Sequence, residues 1–156
     1  MRKFLTTIVA LLSTLAATAA QPKLVVNIVV GGMKASDLER YEQNFSDGGF
    51  NLLKNSGVLF AECYTDFVPS SSEMALATIA TGALPSMHGI SSTRWYDRTS
   101  GNTPIELCKT PKGAPTTEHF MSPTLAETLA ATESGVRTVT LAHNVNSAMV
   151  LAGKSG

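Results

Sequence analysis

Three consecutive serines are the residues of this chain best placed to do chemistry. Ser70, Ser71 and Ser72 follow Pro69 and precede the apolar run Met74 to Ala80, so they stand where a helix begins. Amides in a first helical turn are unpaired and the helix dipole favours negative charge, so an anion is the ligand such a start would take. A serine there can cap the helix or attack an ester. All three can cap; attack needs a base or a metal to activate the oxygen. Few residues offer that help. Glu73 adjoins Ser72 and would repel a phosphate dianion. His88 lies in the turn Pro85 to Gly89 with no second His or Cys at ligand spacing, which reads as a structural histidine. His119 falls in a stretch rich in Gly, Pro, Thr and Ser and is expected in solvent. Cys63 and Cys108 lie in no Cys-x-x-Cys or Cys/His cluster, so metal binding is not expected of them, and a disulfide and two partly buried thiols both stay open. Gly153-Lys154-Ser155 has the tail of a phosphate-binding loop, but Ala148 stands where its leading glycine belongs and no helix follows. Trp95 and Tyr96 are expected to pack beside a turn.

The elements that must hold these residues alternate between strand and helix. Lys23 to Val30 is nearly all aliphatic, the pattern of a strand buried on both faces, and Gly31-Gly32 ends it. A helix from Ala35 or Ser36 through Leu38, Tyr41 and Phe45 stops at Gly48-Gly49, and Phe50 to Asn55 gives a further helical turn. Val58 to Tyr64 reads as the next strand, and the serine-led helix closes at Thr81-Gly82. Arg98 to Phe120 lacks periodicity and is expected as a long surface excursion. Ser122-Pro123-Thr124 opens a helix carrying Leu125 and Leu129, closed by Gly135. Val136 to Ala142 alternates as a strand, and Ala148 to Leu151 suggests another. The fold class expected is α/β, with a mainly parallel sheet flanked by helices.

The first twenty residues stand apart. Arg2 and Lys3 precede an apolar stretch, Phe4 to Leu15, that is too short to span a bilayer, and Ala16 to Ala20 offers a small-residue cleavage region. Residues 1–20 therefore read as a signal peptide and 21–156 as one domain, exported to the periplasm or secreted, and not membrane-spanning after cleavage. Of 156 residues 44% are hydrophobic and the formal net charge is zero, which suits a single packed domain. Lys and Arg form no stripe, so nucleic acid is not an expected partner.

Residues Thr81 to Ile90, Thr-Gly-Ala-Leu-Pro-Ser-Met-His-Gly-Ile, read with Pro69-Ser70-Ser71-Ser72, Trp95-Tyr96-Asp97 and Met121-Ser122-Pro123, resemble the alkaline phosphatase superfamily. The likeness is to its phosphate-irrepressible phosphatases and to the type I phosphodiesterases and nucleotide pyrophosphatases, and it runs from Pro22 to Gly153. It implies an alkaline-phosphatase-like fold and phosphate-ester hydrolysis with a pair of zinc ions. It sets Ser72 at the position of the catalytic nucleophile and Thr93 at that of a phosphate-binding Asn, where a threonine gives a single donor. It sets Gly31 where the family has its first metal-binding Asp, so no metal ligand is expected there. Ala142 and Asn144 fall where the phosphatase branch holds phosphate with Lys and Arg, and His143 between them is the nearest replacement. The remaining zinc ligands of the family belong to a carboxy-terminal half that this sequence does not contain, so the expectation is the amino-terminal part of such a domain. Three readings follow from this set. One is a truncated family member without metal-dependent hydrolysis, with no cofactor where the family uses zinc. Another is a non-catalytic binding or scaffolding module. The last is an active hydrolase using Ser72. A phosphate ester or other anionic small molecule is the expected ligand, and the missing half an expected partner.

Overall fold

The computed structural model describes residues 22–99, 101 and 103–155. The expected signal peptide, residues 1–20, lies outside them. Backbone contacts divide the chain at Val30 into two units. Of the first unit, residues 22–30 are described; they form neither helix nor strand, and Leu24, Val26 and Ile28 are exposed. The buried parallel strand expected over Lys23 to Val30 is therefore not found. A strand exists only beside a hydrogen-bonded neighbour, and a β-branched composition does not supply one.

The second unit is mostly helical. Helix α1 (Ala35–Arg40) begins after Lys34, whose backbone N–H donates to the Asp37 carboxylate at 2.9 Å, and a 3-10 turn (Glu42–Asn44) follows. Helix α2 (Phe50–Ser56) starts behind Gly49, where φ is +60°. The rings of Phe45 and Phe50 meet at 5.0 Å across that turn, and Lys54 pairs with Glu42. Helix α3 (Ser72–Thr81) ends on Gly82, whose left-handed backbone is the conformation glycine adopts without strain. Helix α4 (Pro85–His88) has proline in its first turn, which loses no helical hydrogen bond. Strands β1 (Arg94–Tyr96) and β2 (Pro104–Glu106) pair antiparallel with Trp95 opposite Ile105. Helix α5 (Leu125–Thr132) has a reciprocal cap: the Thr124 hydroxyl accepts from Glu127 N at 3.2 Å and the Glu127 carboxylate accepts from Thr124 N at 2.8 Å. Helix α6 (Val145–Ala152) leads into a 3-10 turn (Gly153–Ser155).

The sheet is where expectation and structure part. Among the described residues it has two antiparallel strands and no parallel pair. Residues 58–64 and 136–142 are neither helix nor strand: among the described residues their backbone makes no hydrogen bond to other backbone, and a strand needs a paired neighbour. The strand expected over Ala148 to Leu151 is helix instead. Asn144 Oδ1 accepts from Ser147 N at 2.8 Å, which starts α6 upstream, and Ala148, Met149 and Leu151 are good helix formers.

The core lies where α3 and α6 pack together, joined by the end of β2 and the loop before α5. Ala77, Ile90, Leu107, Cys108, Phe120 and Val150 form it. The segment Arg98 to Phe120 is thus not wholly a surface excursion. Pairing of β2 with β1 carries Leu107 and Cys108 inward, and Phe120 closes the cluster, with Leu107 fully buried. Among the described residues no helix is long and apolar enough to cross a membrane.

Candidate functional site at the start of helix α3

The three serines divide their tasks. Ser71 is the N-cap: its backbone is extended and its hydroxyl accepts from Met74 N at 3.2 Å. Ser70 Oγ donates to the Ser91 carbonyl at 2.7 Å, which ties the helix start to the loop before β1. Ser72, the expected nucleophile, is the first helical residue; its side chain is exposed and makes no hydrogen bond among the described residues. Thr93, the expected phosphate ligand, follows in the loop held by Ser70, is half-buried, and its carbonyl accepts from Leu107 N at 3.0 Å. The bond from Ser70 to Ser91 thus brings the segments of both candidate residues together.

Glu73 turns away from this mouth. It is buried, and its carboxylate accepts from Ser147 Oγ on α6 at 3.3 Å. Its charge reaches Cys108, whose thiol is pushed up to about 11, first by burial and then by the Glu73 carboxylate. Cys63 is exposed and Cys108 buried, and both are free thiols.

His88 is buried and fully engaged. Its Nδ1 accepts from Ile90 N at 3.1 Å, so the proton is on Nε2, which donates to Thr78 Oγ1 at 3.1 Å while that hydroxyl donates to the Met74 carbonyl at 3.2 Å. Burial holds its pKa below the ordinary value of 6.5, so the ring is neutral near pH 7. This is a structural histidine pinning α4 to α3. His119 differs from expectation: it is half-buried, edge-on to Trp95 with ring centroids 5.2 Å apart.

The partners Ser147, Thr78 and Ser91 were not legible in the sequence. Ser147 meets Glu73 across 74 residues, and no local spacing signals such a pair. A buried Glu in a first helical turn is the one hint, since such a charge needs a donor.

Residues 25–150 match the profile of a known family, described as Type I phosphodiesterase / nucleotide pyrophosphatase. The chain belongs to that family. It is 37% identical over 83 residues to alkaline phosphatase PafA of Elizabethkingia meningoseptica, a match covering 53% of this chain and 15% of the relative. It is 35% identical over 81 residues, 52% of this chain and 15% of the relative, to a protein of Myroides odoratus named calcium-transporting ATPase. Alkaline phosphatase PhoK of a Sphingomonas species is 27% identical over 145 residues, 86% of this chain and 26% of the relative. The chain spans about a sixth to a quarter of the length of these relatives.

The phosphodiesterase family is metal-dependent. Among the described residues no three of His, Cys, Asp and Glu come together as a metal-holding group. At Gly31, where the resemblance sets the family's first metal ligand, a Cβ would meet nothing within 4 Å. Asn144, where the phosphatase branch has Arg, caps α6 through Ser147 N, and His143 beside it is exposed.

Proposed function

We propose that residues 21–156 are the amino-terminal portion of an exported type I phosphodiesterase-family domain and carry no metal-dependent phosphoester hydrolysis by themselves. The observation behind this reading is the start of α3. Ser71 does the capping, Ser72 has no base within hydrogen-bonding reach among the described residues, and Glu73 is drawn into the core by Ser147. An alcohol at its ordinary pKa is a poor nucleophile without a base or a cation beside it, so a serine so placed does not turn over phosphate esters. What the α3 start does instead is join elements: Ser70 reaches the loop before β1 and Glu73 reaches α6. The chain's role is then that of a non-catalytic binding or scaffolding module, and any anion it takes is a weak ligand. One observation favours the alternative of an active hydrolase: the Ser72 hydroxyl is exposed and could meet an ester.

The test is hydrolysis of p-nitrophenyl phosphate and bis-p-nitrophenyl phosphate, with and without zinc, by the chain from residue 21 and by its Ser72→Ala variant. The expected result is the buffer rate for both. Turnover that needs zinc and disappears in Ser72→Ala would establish the alternative.

A further inference from the structure

One cleft of the second unit gathers donors that the chain itself leaves unused. It has a volume of about 280 Å³ and lies between helix α6 with its 3-10 turn and the segments holding Thr116, Thr117 and Thr140. Lys154, exposed on that turn, lines it, and among the described residues its ammonium makes no ion pair or hydrogen bond. The hydroxyls of half-buried Thr117 and Thr140 likewise have no hydrogen-bond partner among the described residues. Thr116 Oγ1 accepts from Glu118 N at 3.2 Å, which leaves its own proton to give. The cleft thus brings together one cation and three hydroxyl donors. Among the described residues no Asp or Glu lines it. Glu127 adjoins Gly153, but its carboxylate accepts from Thr124 N at 2.8 Å, and the Glu118 carboxylate sits 3.3 Å from His119 Nε2.

Charge and size narrow what fits. In a phosphate-binding loop the lysine opens a helix, whose N-terminal dipole adds positive charge. Lys154 instead follows α6, and a helix C-terminus carries about half a unit of negative charge. The whole charge of the ammonium outweighs that half, which leaves a site for one negative charge and too little for a dianion. Ala148 and Met149 supply an apolar wall. The volume falls just under the roughly 300–1,000 Å³ of pockets for drug-sized molecules, so the ligand is smaller than those. The geometry points to a binding site in this cleft for a small organic monocarboxylate, its carboxylate on Lys154 and the threonine hydroxyls and its short alkyl part against Ala148 and Met149. The site shares no residue with the start of α3 and neither needs hydrolysis nor excludes it, so its failure leaves the reading of α3 untouched.

The test titrates butyrate into the isotopically labelled full chain at fixed ionic strength and follows backbone amide resonances. Saturable shifts at Thr116, Thr117, Thr140, Met149 and Lys154, with a Kd of about 1–10 mM, are expected for so small a ligand. Butyramide has the same shape without the charge and should bind at least about tenfold more weakly, a comparison that needs no variant. Lys154→Ala, at an exposed side chain, should weaken butyrate binding at least about tenfold, and Thr140→Val, which keeps the shape and removes the hydroxyl, at least about threefold. In both variants Cys108 should stay unreactive to alkylation, which shows that the core is intact. Four results would each overturn the proposal: inorganic phosphate binding more tightly than butyrate, butyramide binding equally well, Lys154→Ala binding as the unaltered chain does, or no saturable shift at the cleft up to about 50 mM butyrate.

Discussion

At the scale of single residues, identical side chains in a row have unlike roles, and substitution separates them. Ser71→Ala removes the α3 cap and should lower stability by about 1 kcal/mol, while Ser72→Ala, at an exposed side chain with no hydrogen-bond partner among the described residues, should stay within about 0.5 kcal/mol. Denaturant midpoints of the two variants compare them directly. The buried titratable groups predict the pH limits of the fold. His88 is held neutral, with its folded pKa below the ordinary 6.5, so the unfolded chain takes up the proton first and stability falls as pH drops below about 6.5. Cys108 has the opposite sense. Its folded pKa is about 11 against an ordinary 9.0, so the unfolded chain loses the proton first and stability falls as pH rises from about 9 toward 11. Melting curves across both windows check the signs, and a Cys108→Ala variant should flatten the alkaline limb. The same burial makes the thiols unequal: an alkylating reagent at neutral pH should modify exposed Cys63 and spare Cys108 until the chain unfolds.

At the scale of elements, α3 and α6 are held by a polar contact within an apolar interface. Ser147→Ala strips the buried Glu73 carboxylate of its donor and should cost about 1–3 kcal/mol, whereas adding Glu73→Gln should recover part of the loss because the buried charge is gone. A thermodynamic cycle over the four proteins measures that coupling. The helices of this unit were largely legible in sequence because their signals are local. Serines before an apolar run, Thr81-Gly82 at its close and Ser122-Pro123-Thr124 ahead of the next helix each mark an end by contacts within a few residues. The strands were not legible, because strand formation depends on a neighbour that a single run of residues does not reveal. Val136 to Ala142 has the alternation of a strand and lacks the pairing; Ala148 to Leu151 looks apolar enough for a strand and belongs to a helix started by Asn144. The inward course of Leu107 and Cys108 was hidden for a related reason, since the turns around them lack any period.

At the scale of the whole molecule, family membership and the proposed loss of activity are separate claims. The resemblance seen at Thr81 to Ile90 agrees with a family match over residues 25–150, and it is carried by the turn that His88 builds with Thr78 and Ile90. That turn is structural: it is held by hydrogen bonds among His88, Thr78 and Ile90 and makes no demand on the residues of a catalytic site. Gly31, where the resemblance sets the family's first metal ligand, has open space around an added Cβ. Under the proposed reading one carboxylate does not rebuild a metal pair, since among the described residues no further donors are gathered, so Gly31→Asp should fold and stay silent. The most direct test is therefore zinc-supplemented hydrolysis of bis-p-nitrophenyl phosphate by the Gly31→Asp chain, in a sample whose Cys108 resists alkylation and is thus folded. A rate equal to that of buffer is predicted; a zinc-dependent rate that Ser72→Ala abolishes would contradict the account.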